Sequence, residues 1–189
     1  MIARRAQCLV AAPLAIALAA CNDGTASAPP PVEMTNDAVA EFCGMSLGEH
    51  AGPKAQIFLR GETNPRWFAS VHDAFAYVML RERPNEVAAI YVNDMGKAKN
   101  WDQPEAGSWI EARKAVFVIE SRQRGGMDEN EAVPFSDRAA AAAFSSQFGG
   151  SLVSFADMPR SYILPERRAG SAERDAEGSR VADKRKGGP

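Results

Sequence analysis

Apolar residues along the chain fall into short blocks separated by turn formers, and these blocks predict two similar groups of elements. Ala55–Leu59 (AQIFL) is a short apolar run flanked by Pro53 and Gly61, which predicts a strand. After a polar loop with Pro65, Phe68-Ala69-Ser70 opens a helix over Val71–Leu80, with Ser70 as its N-cap and Asp73 in its first turn. Val71, Phe75, Val78 and Met79 form its apolar stripe. Pro84 ends the helical region, and 87–92 (VAAIYV) predicts a strand. The order then returns: a strand over 115–119, a loop with Pro134, and a helix opened by Phe135-Ser136-Asp137. Ala139 to Ala143 favour that helix, Phe144 and Phe148 lie one turn apart on its core face, and Gly149-Gly150 stops it before a strand over 152–155. The recurrence lies in pattern more than in identity and points to a duplication. Periodicity alone yields an α+β protein of two small strand–helix–strand units.

The ends of the chain differ in kind. Arg4 and Arg5 precede an apolar run over 9–18, followed by Ala19-Ala20-Cys21, which is the layout of an export signal. The run is too short to span a bilayer comfortably. Leu18-Ala19-Ala20-Cys21 resembles a bacterial lipobox, in which Cys21 is acylated and becomes the mature N-terminus. The expected location is therefore the bacterial cell envelope, lipid-anchored and facing the periplasm. Residues 21–35, rich in Pro, Gly and small polar residues, are expected to form a flexible tether reaching about 45–50 Å when extended. Residues 165–189 carry mixed charge and one large aliphatic, Val181, and are expected to be a disordered tail. The expected organisation is a signal over 1–20, the tether, a first unit over 36–95, a linker over 96–108, a second unit over 109–164 and the tail.

Export changes the charge and cysteine counts. Removing Arg4 and Arg5 leaves 20 basic against 24 acidic side chains with no basic stripe, so nucleic acid is not an expected partner. Cys8 leaves with the signal and acylation blocks Cys21, so Cys43 becomes the free thiol of the mature chain. An unpaired thiol in an oxidising compartment suggests a ligand, a reactive group or an intermolecular bond. Burial as a small hydrophobe is the plainer alternative.

The stretch 43–50, CGMSLGEH, places a thiol, a thioether and an imidazole within eight positions. Thiolate and thioether suit Cu(I), and imidazole serves copper or zinc. If 43–45 is extended, Cys43 and Met45 share one face, and His50 can fold back after a glycine-containing turn. Gly44-Met45, Met95-Gly96 and Gly126-Met127 place three thioethers beside glycines, where loops are expected. For each methionine singly, packing competes with ligation. Asp94 beside Met95, and Glu49 beside His50, leave room for a second, harder divalent ion such as zinc. His72, in the first turn of the predicted helix, is expected to be solvated. There is no phosphate-binding glycine loop or nucleotide fingerprint, and no orienting group marks a Cys–His nucleophilic pair.

Several stretches together resemble the NosL family, the accessory lipoproteins of nitrous oxide reductase. They are Cys43 to His50 with the following AGPKAQIF, Trp67 to Asp73 (WFASVHD), Ile90 to Met95 (IYVNDM), Gly125-Gly126-Met127 and Val133 to Asp137 (VPFSD), in order and behind a lipobox. The resemblance implies a membrane-anchored Cu(I) chaperone that helps build the copper–sulfide cluster of nitrous oxide reductase, not an enzyme. It implies partners too: that reductase, an ABC-transporter-type membrane complex and its periplasmic partner. It further implies an α+β fold of two related ββαβ units, similar to organomercurial lyase. Carried over, Met45 and Met127 become thioether ligands, Cys43 and His50 complete or tune the site, and Met95 and Asp94 form a lower tier. The competing class is a lipoprotein scaffold that organises an envelope complex without metal.

Overall fold

A computed structural model describes residues 28–165, apart from Arg83. The signal, Cys21, the start of the tether and the tail after 165 lie outside the described residues. No helix among the described residues is long and apolar enough to cross a membrane.

Two antiparallel sheets are built by the same chain path. In the first, β1 (Ala55–Leu59), β2 (Arg66–Phe68), α1 (Val71–Leu80) and β3 (Val87–Asn93) follow one another, and β4 (Trp109–Glu111) joins at the edge, in the order β2-β1-β3-β4. In the second, β5 (Val116–Ile119), β6 (Val133–Phe135), α2 (Arg138–Phe148) and β7 (Ser151–Ser154) give the order β6-β5-β7. A four-residue helix, α3 (Arg160–Ile163), follows. The repeat extends to register. Ala55 pairs with Phe68 and Val92, as Val116 pairs with Phe135 and Ser154. Ser70 and Asp137, each two positions beyond the paired phenylalanine, cap α1 and α2 by accepting the amide hydrogens of Asp73 and Ala139.

The ββαβ order corrects the strand–helix–strand pattern read from periodicity. β2 and β6 have only three residues each and lie beside or include a proline, so they read as loop. Pro134 is tolerated because β6 is an edge strand, where the missing N–H costs no ladder bond. β4 also differs from expectation, since it begins the stretch assigned to the second unit yet pairs with β3 of the first sheet.

β1 is buried at all five positions because both its faces are covered. Ala55, Ile57 and Leu59 face a core shared by the two units, in which Phe75 of α1 packs on Phe117 of β5 and on Phe155, with ring centroids 5.1 and 4.9 Å apart. Strand alternation sends Gln56 to the opposite face, beside its register partners Trp67 and Tyr91. The N-terminal segment covers that face. Tyr91 Oη donates to the Pro29 carbonyl, and the Gln56 side-chain amide both accepts from Val32 N–H and donates to Val32 C=O. The stretch expected as a free tether is thus docked over 29–33, because a fully buried glutamine in β1 needs both partners. α2 covers the outer face of the second sheet through Ala141 and Phe144.

Candidate metal centre

The segment that crosses the outer face of the first sheet carries Cys43, Met45 and His50. Residues 38–47 form a small reversal: Ala40 N–H donates to the Met45 carbonyl (2.9 Å), Gly44 N–H to that of Ala40 (2.8 Å) and Leu47 N–H to that of Ala38 (3.0 Å). Cys43 lies at its tip, exposed. Gly44 has φ +66° with open space where a side chain would be, so the requirement there is conformational, not steric. This turn excludes the extended 43–45 segment on which a shared face of Cys43 and Met45 depended, and strand alternation does not relate the two.

The base of the reversal is fixed on both sides. Leu47 is fully buried with Ala40, Ala69 and Trp67. Glu41 N–H donates to the Trp67 carbonyl, and Arg66 reaches Glu41 and Glu62 at 2.9 and 3.0 Å. A single 3-10 turn, Leu47–Glu49, then folds the chain back, closed by His50 N–H donating to the Leu47 carbonyl. The result is a Cys43 Sγ to His50 Nε2 separation of 3.8 Å. His50 is buried, whereas Met45 is 46% exposed.

Met127 arrives from the second unit on another tight reversal, bridged between Arg124 and Asn130. Gly125 N–H donates to the Glu129 carbonyl, Asp128 N–H to that of Gly125, and Met127 N–H to Glu129 Oε2 at 2.8 Å. Gly126 lies directly on the first unit. A Cβ there would fall 2.7 Å from the Ala51 nitrogen and 2.8 Å from His50 Cβ. Met127, 57% exposed, is therefore the residue next to the contact with His50.

Asp94 and Met95 are engaged elsewhere. Asp94 Oδ1 accepts the amide hydrogens of Gly96 and Ser136, and Oδ2 takes the Ser136 hydroxyl and the Lys97 ammonium at 3.2 Å. Burial works to raise this carboxyl, but the bonds from Ser136, Lys97 and Gly96 outweigh it and hold it below the usual range. Met95 packs beside Phe135 in the core under α2. Among the described residues no three His, Cys, Asp or Glu side chains converge as a metal cluster.

His72 is half-buried rather than solvated, because its ring packs on Tyr162 and its Nε2 lies 3.3 Å from the Tyr162 carbonyl. Burial acts to lower its pKa, and its bonds to Asp73 and Tyr162 raise it overall.

Three polar groups around the site were not singled out in the sequence: Lys54, Gln56 and Glu131. Lys54 is buried at the mouth of β1, with Nζ donating to the Gly52 carbonyl. Burial pushes its ammonium down to about 8, against the pull of Glu131, Glu129 and Asp102. A cavity of about 140 Å³ behind His50 is lined by Lys54, Leu47, Trp109 and the docked Glu33 and Met34. The available signal was Lys54 directly before the apolar run of β1, and Gln56 as the one polar residue within that strand.

Residues 31–163 match the NosL family model. The chain is 47% identical over 167 residues to the copper-binding lipoprotein NosL of Achromobacter cycloclastes, covering 88% of this chain and 86% of that one. It is 27% identical over 134 residues to the copper-binding lipoprotein NosL of Stutzerimonas stutzeri, covering 70% and 68%. Its fold is similar to the crystal structure of the copper chaperone NosL from Shewanella denitrificans, with a TM-score of 0.64 at 32% identity, covering 70% of this chain and 99% of that one. The family model and the 47% identity both span most of the sequence, and the chain belongs to the NosL family.

Proposed function

We propose that this protein is a lipid-anchored copper chaperone of the bacterial envelope, facing the periplasm. It carries Cu(I) as cargo at the edge formed by Cys43, Met45, His50 and Met127. The observation that carries this reading is the 3.8 Å approach of Cys43 Sγ to His50 Nε2, with exposed Met45 on the same reversal as Cys43 and exposed Met127 next to the Gly126 that packs on His50. Burying a methionine side chain stabilises a fold by about 1.5–3 kcal/mol, so leaving Met45 and Met127 in solvent forgoes that gain. Thioether coordination of a soft ion accounts for it.

The geometry suits transfer. His50 is held by its own backbone turn, while Cys43 sits at a loop tip and both methionines face solvent. A docked acceptor can offer its own soft donor to the open side of the ion, displacing one ligand at a time without either protein releasing free copper. The receiving site is the copper–sulfide cluster of nitrous oxide reductase, reached with an ABC-transporter-type membrane complex and its periplasmic partner. Acylated Cys21 keeps the chaperone at the membrane where that complex works. No chemical conversion is involved, and the protein is not an enzyme.

Competition with a chromophoric Cu(I) chelator tests this. One equivalent bound, with affinity reduced at least about tenfold (about 1.4 kcal/mol) by Met45→Leu or Met127→Leu, is the expected result. Failure to compete for Cu(I), together with unchanged partner capture, would instead favour the metal-free scaffold.

A further inference from the structure

Glu131 is 1% exposed and has no part in the copper reading. Its Oε1 accepts three amide hydrogens: those of Val71 and His72, each at 3.1 Å, and that of Ala132 at 2.8 Å. Val71 and His72 open α1, where backbone N–H groups have no partner within the helix. Ser70 serves Asp73, so the second unit supplies the remaining cap of a first-unit helix. Its other oxygen, Oε2, is buried without a hydrogen-bond partner. That oxygen lies beneath the reversal that carries Met127, since a Cβ on Gly125 would come within 3.1 Å of it. The Tyr162 hydroxyl donates to the Glu131 carbonyl, fixing the backbone as well.

α1 also touches the other half of the candidate centre. Tyr77 and Phe68 pack against the ring of Phe42, at 6.2 and 5.6 Å, and Phe42 precedes Cys43. One rigid helix therefore holds the Met127 reversal at its N-terminus, through Glu131, and the Cys43 reversal near its C-terminus, through Tyr77. A buried acceptor that meets three backbone donors from two units sets a distance in a way that exposed side chains do not.

We propose that Glu131 is a positioning residue for Met127: by clamping the base of the 124–130 reversal to the N-terminus of α1, it sets where Gly126 lands on His50 and so where the next thioether stands. This rests on Met127 being a Cu(I) ligand. The role requires an acceptor at Oε1 and not a charge. Glu131→Gln keeps that acceptor, whereas Glu131→Leu removes it.

The test uses the full-length protein in detergent, with folding followed by circular dichroism. Glu131→Leu is expected to weaken Cu(I) binding about tenfold and Glu131→Gln less than threefold, and the loss is expected to vanish in a Met127→Leu background, as a coupled pair requires. Gly125→Ala meets Glu129 first and Glu131 Oε2 behind it, so it is made in a Glu129→Ala background, where Glu131 alone is pushed while the α1 cap stays in place. Relative to Glu129→Ala it is expected to give the same Met127-dependent loss should Glu131→Leu fail to fold. Methyl-¹³C methionine spectra of the copper-free protein read the position directly, with the Met127 signal shifted in Glu131→Leu, or in Gly125→Ala with Glu129→Ala relative to Glu129→Ala alone, and those of Met34 and Met158 unmoved. An unmoved Met127 signal, or equal losses with and without Met127, overturns the proposal. If Met127→Leu alone leaves Cu(I) affinity unchanged while the Met127 signal still moves, the copper role of Met127 fails and the positioning stands.

Discussion

Gly126 meets His50 where no side chain fits: a Cβ there would lie 2.8 Å from His50 Cβ and 2.7 Å from the Ala51 nitrogen. The contact joins the second unit to the loop of Cys43 and Met45, so Gly126 is where Met127 becomes a neighbour of the Cys43–His50 pair. Gly126→Ala is expected to push the two reversals apart. Overpacking of this kind costs about 1–3 kcal/mol, and urea unfolding should show a loss in that range. Cu(I) affinity should fall together with it, as far as Met127→Leu lowers it. Wild-type values for both would mean that the reversals are not held by this contact.

Gln56 ties the N-terminal segment to β1 through two bonds to Val32, each 3.0 Å. At about 0.5–1.5 kcal/mol net for each bond, Gln56→Leu should weaken docking of the segment by about 1–3 kcal/mol. Hydrogen exchange at Val32 is the measure, and its protection should drop at least about fivefold, with protection at Ile57 unchanged. Equal protection of Val32 in both proteins would show that the segment is held by other contacts.

Local sequence was informative where an element is long or strongly patterned. β1 and α1 match their expected bounds, Ser70 caps α1 as its position predicts, and the family motifs marked the loop of Cys43 and the reversal of Met127. The three-residue strands β2, β4 and β6 were not legible, because so few residues hold no period and their pairing is decided by distant partners. Gln56, Lys54 and Glu131 escaped for a related reason. Each is a single polar residue whose role depends on groups far along the chain: Val32 for Gln56, the acidic groups of Glu131, Glu129 and Asp102 for the buried Lys54 ammonium, and the start of α1 for Glu131. The condition for 43–45 alternation, an extended segment, is not met at Gly44, since a glycine can take a left-handed backbone that reverses the chain.

Burial of Glu131 and Lys54 makes stability depend on pH in opposite windows. Burial holds Glu131 up to about 8, from an ordinary value of 4.5. Its folded state therefore favours the proton, and the associated stability is complete below pH 4.5 and lost as pH rises through about 8. Lys54 falls to about 8 from 10.5, so its contribution is complete above pH 10.5 and lost as pH falls through about 8. The two together give a minimum near pH 8. Glu131→Gln should remove the acid-side slope and leave that of Lys54. The difference in unfolding free energy between wild type and Glu131→Gln should shrink by a few kcal/mol, on the order set by a shift of several pH units, between pH 5 and 8. A difference that is flat with pH would place the proton elsewhere.

Stability also separates a ligand from a packing group at the candidate centre. Met45 and Met127 are 46% and 57% exposed, so replacing either with leucine removes little buried surface. Substitutions at such positions stay within about 0.5 kcal/mol of wild type. Met45→Leu and Met127→Leu are therefore expected to unfold at the wild-type urea midpoint while losing Cu(I) affinity. His50 stands differently, being 4% exposed between the Cys43 thiol, Gly126 and the cavity beside Lys54. His50→Ala should cost about 1–3 kcal/mol, because it empties volume under Gly126 and leaves Cys43 without its partner. Cys43→Ser, at an exposed tip, should resemble the methionine variants in stability and His50→Ala in its loss of copper. A methionine variant that unfolds early would identify that thioether as part of the packing, and its exposure would then need another explanation than an ion.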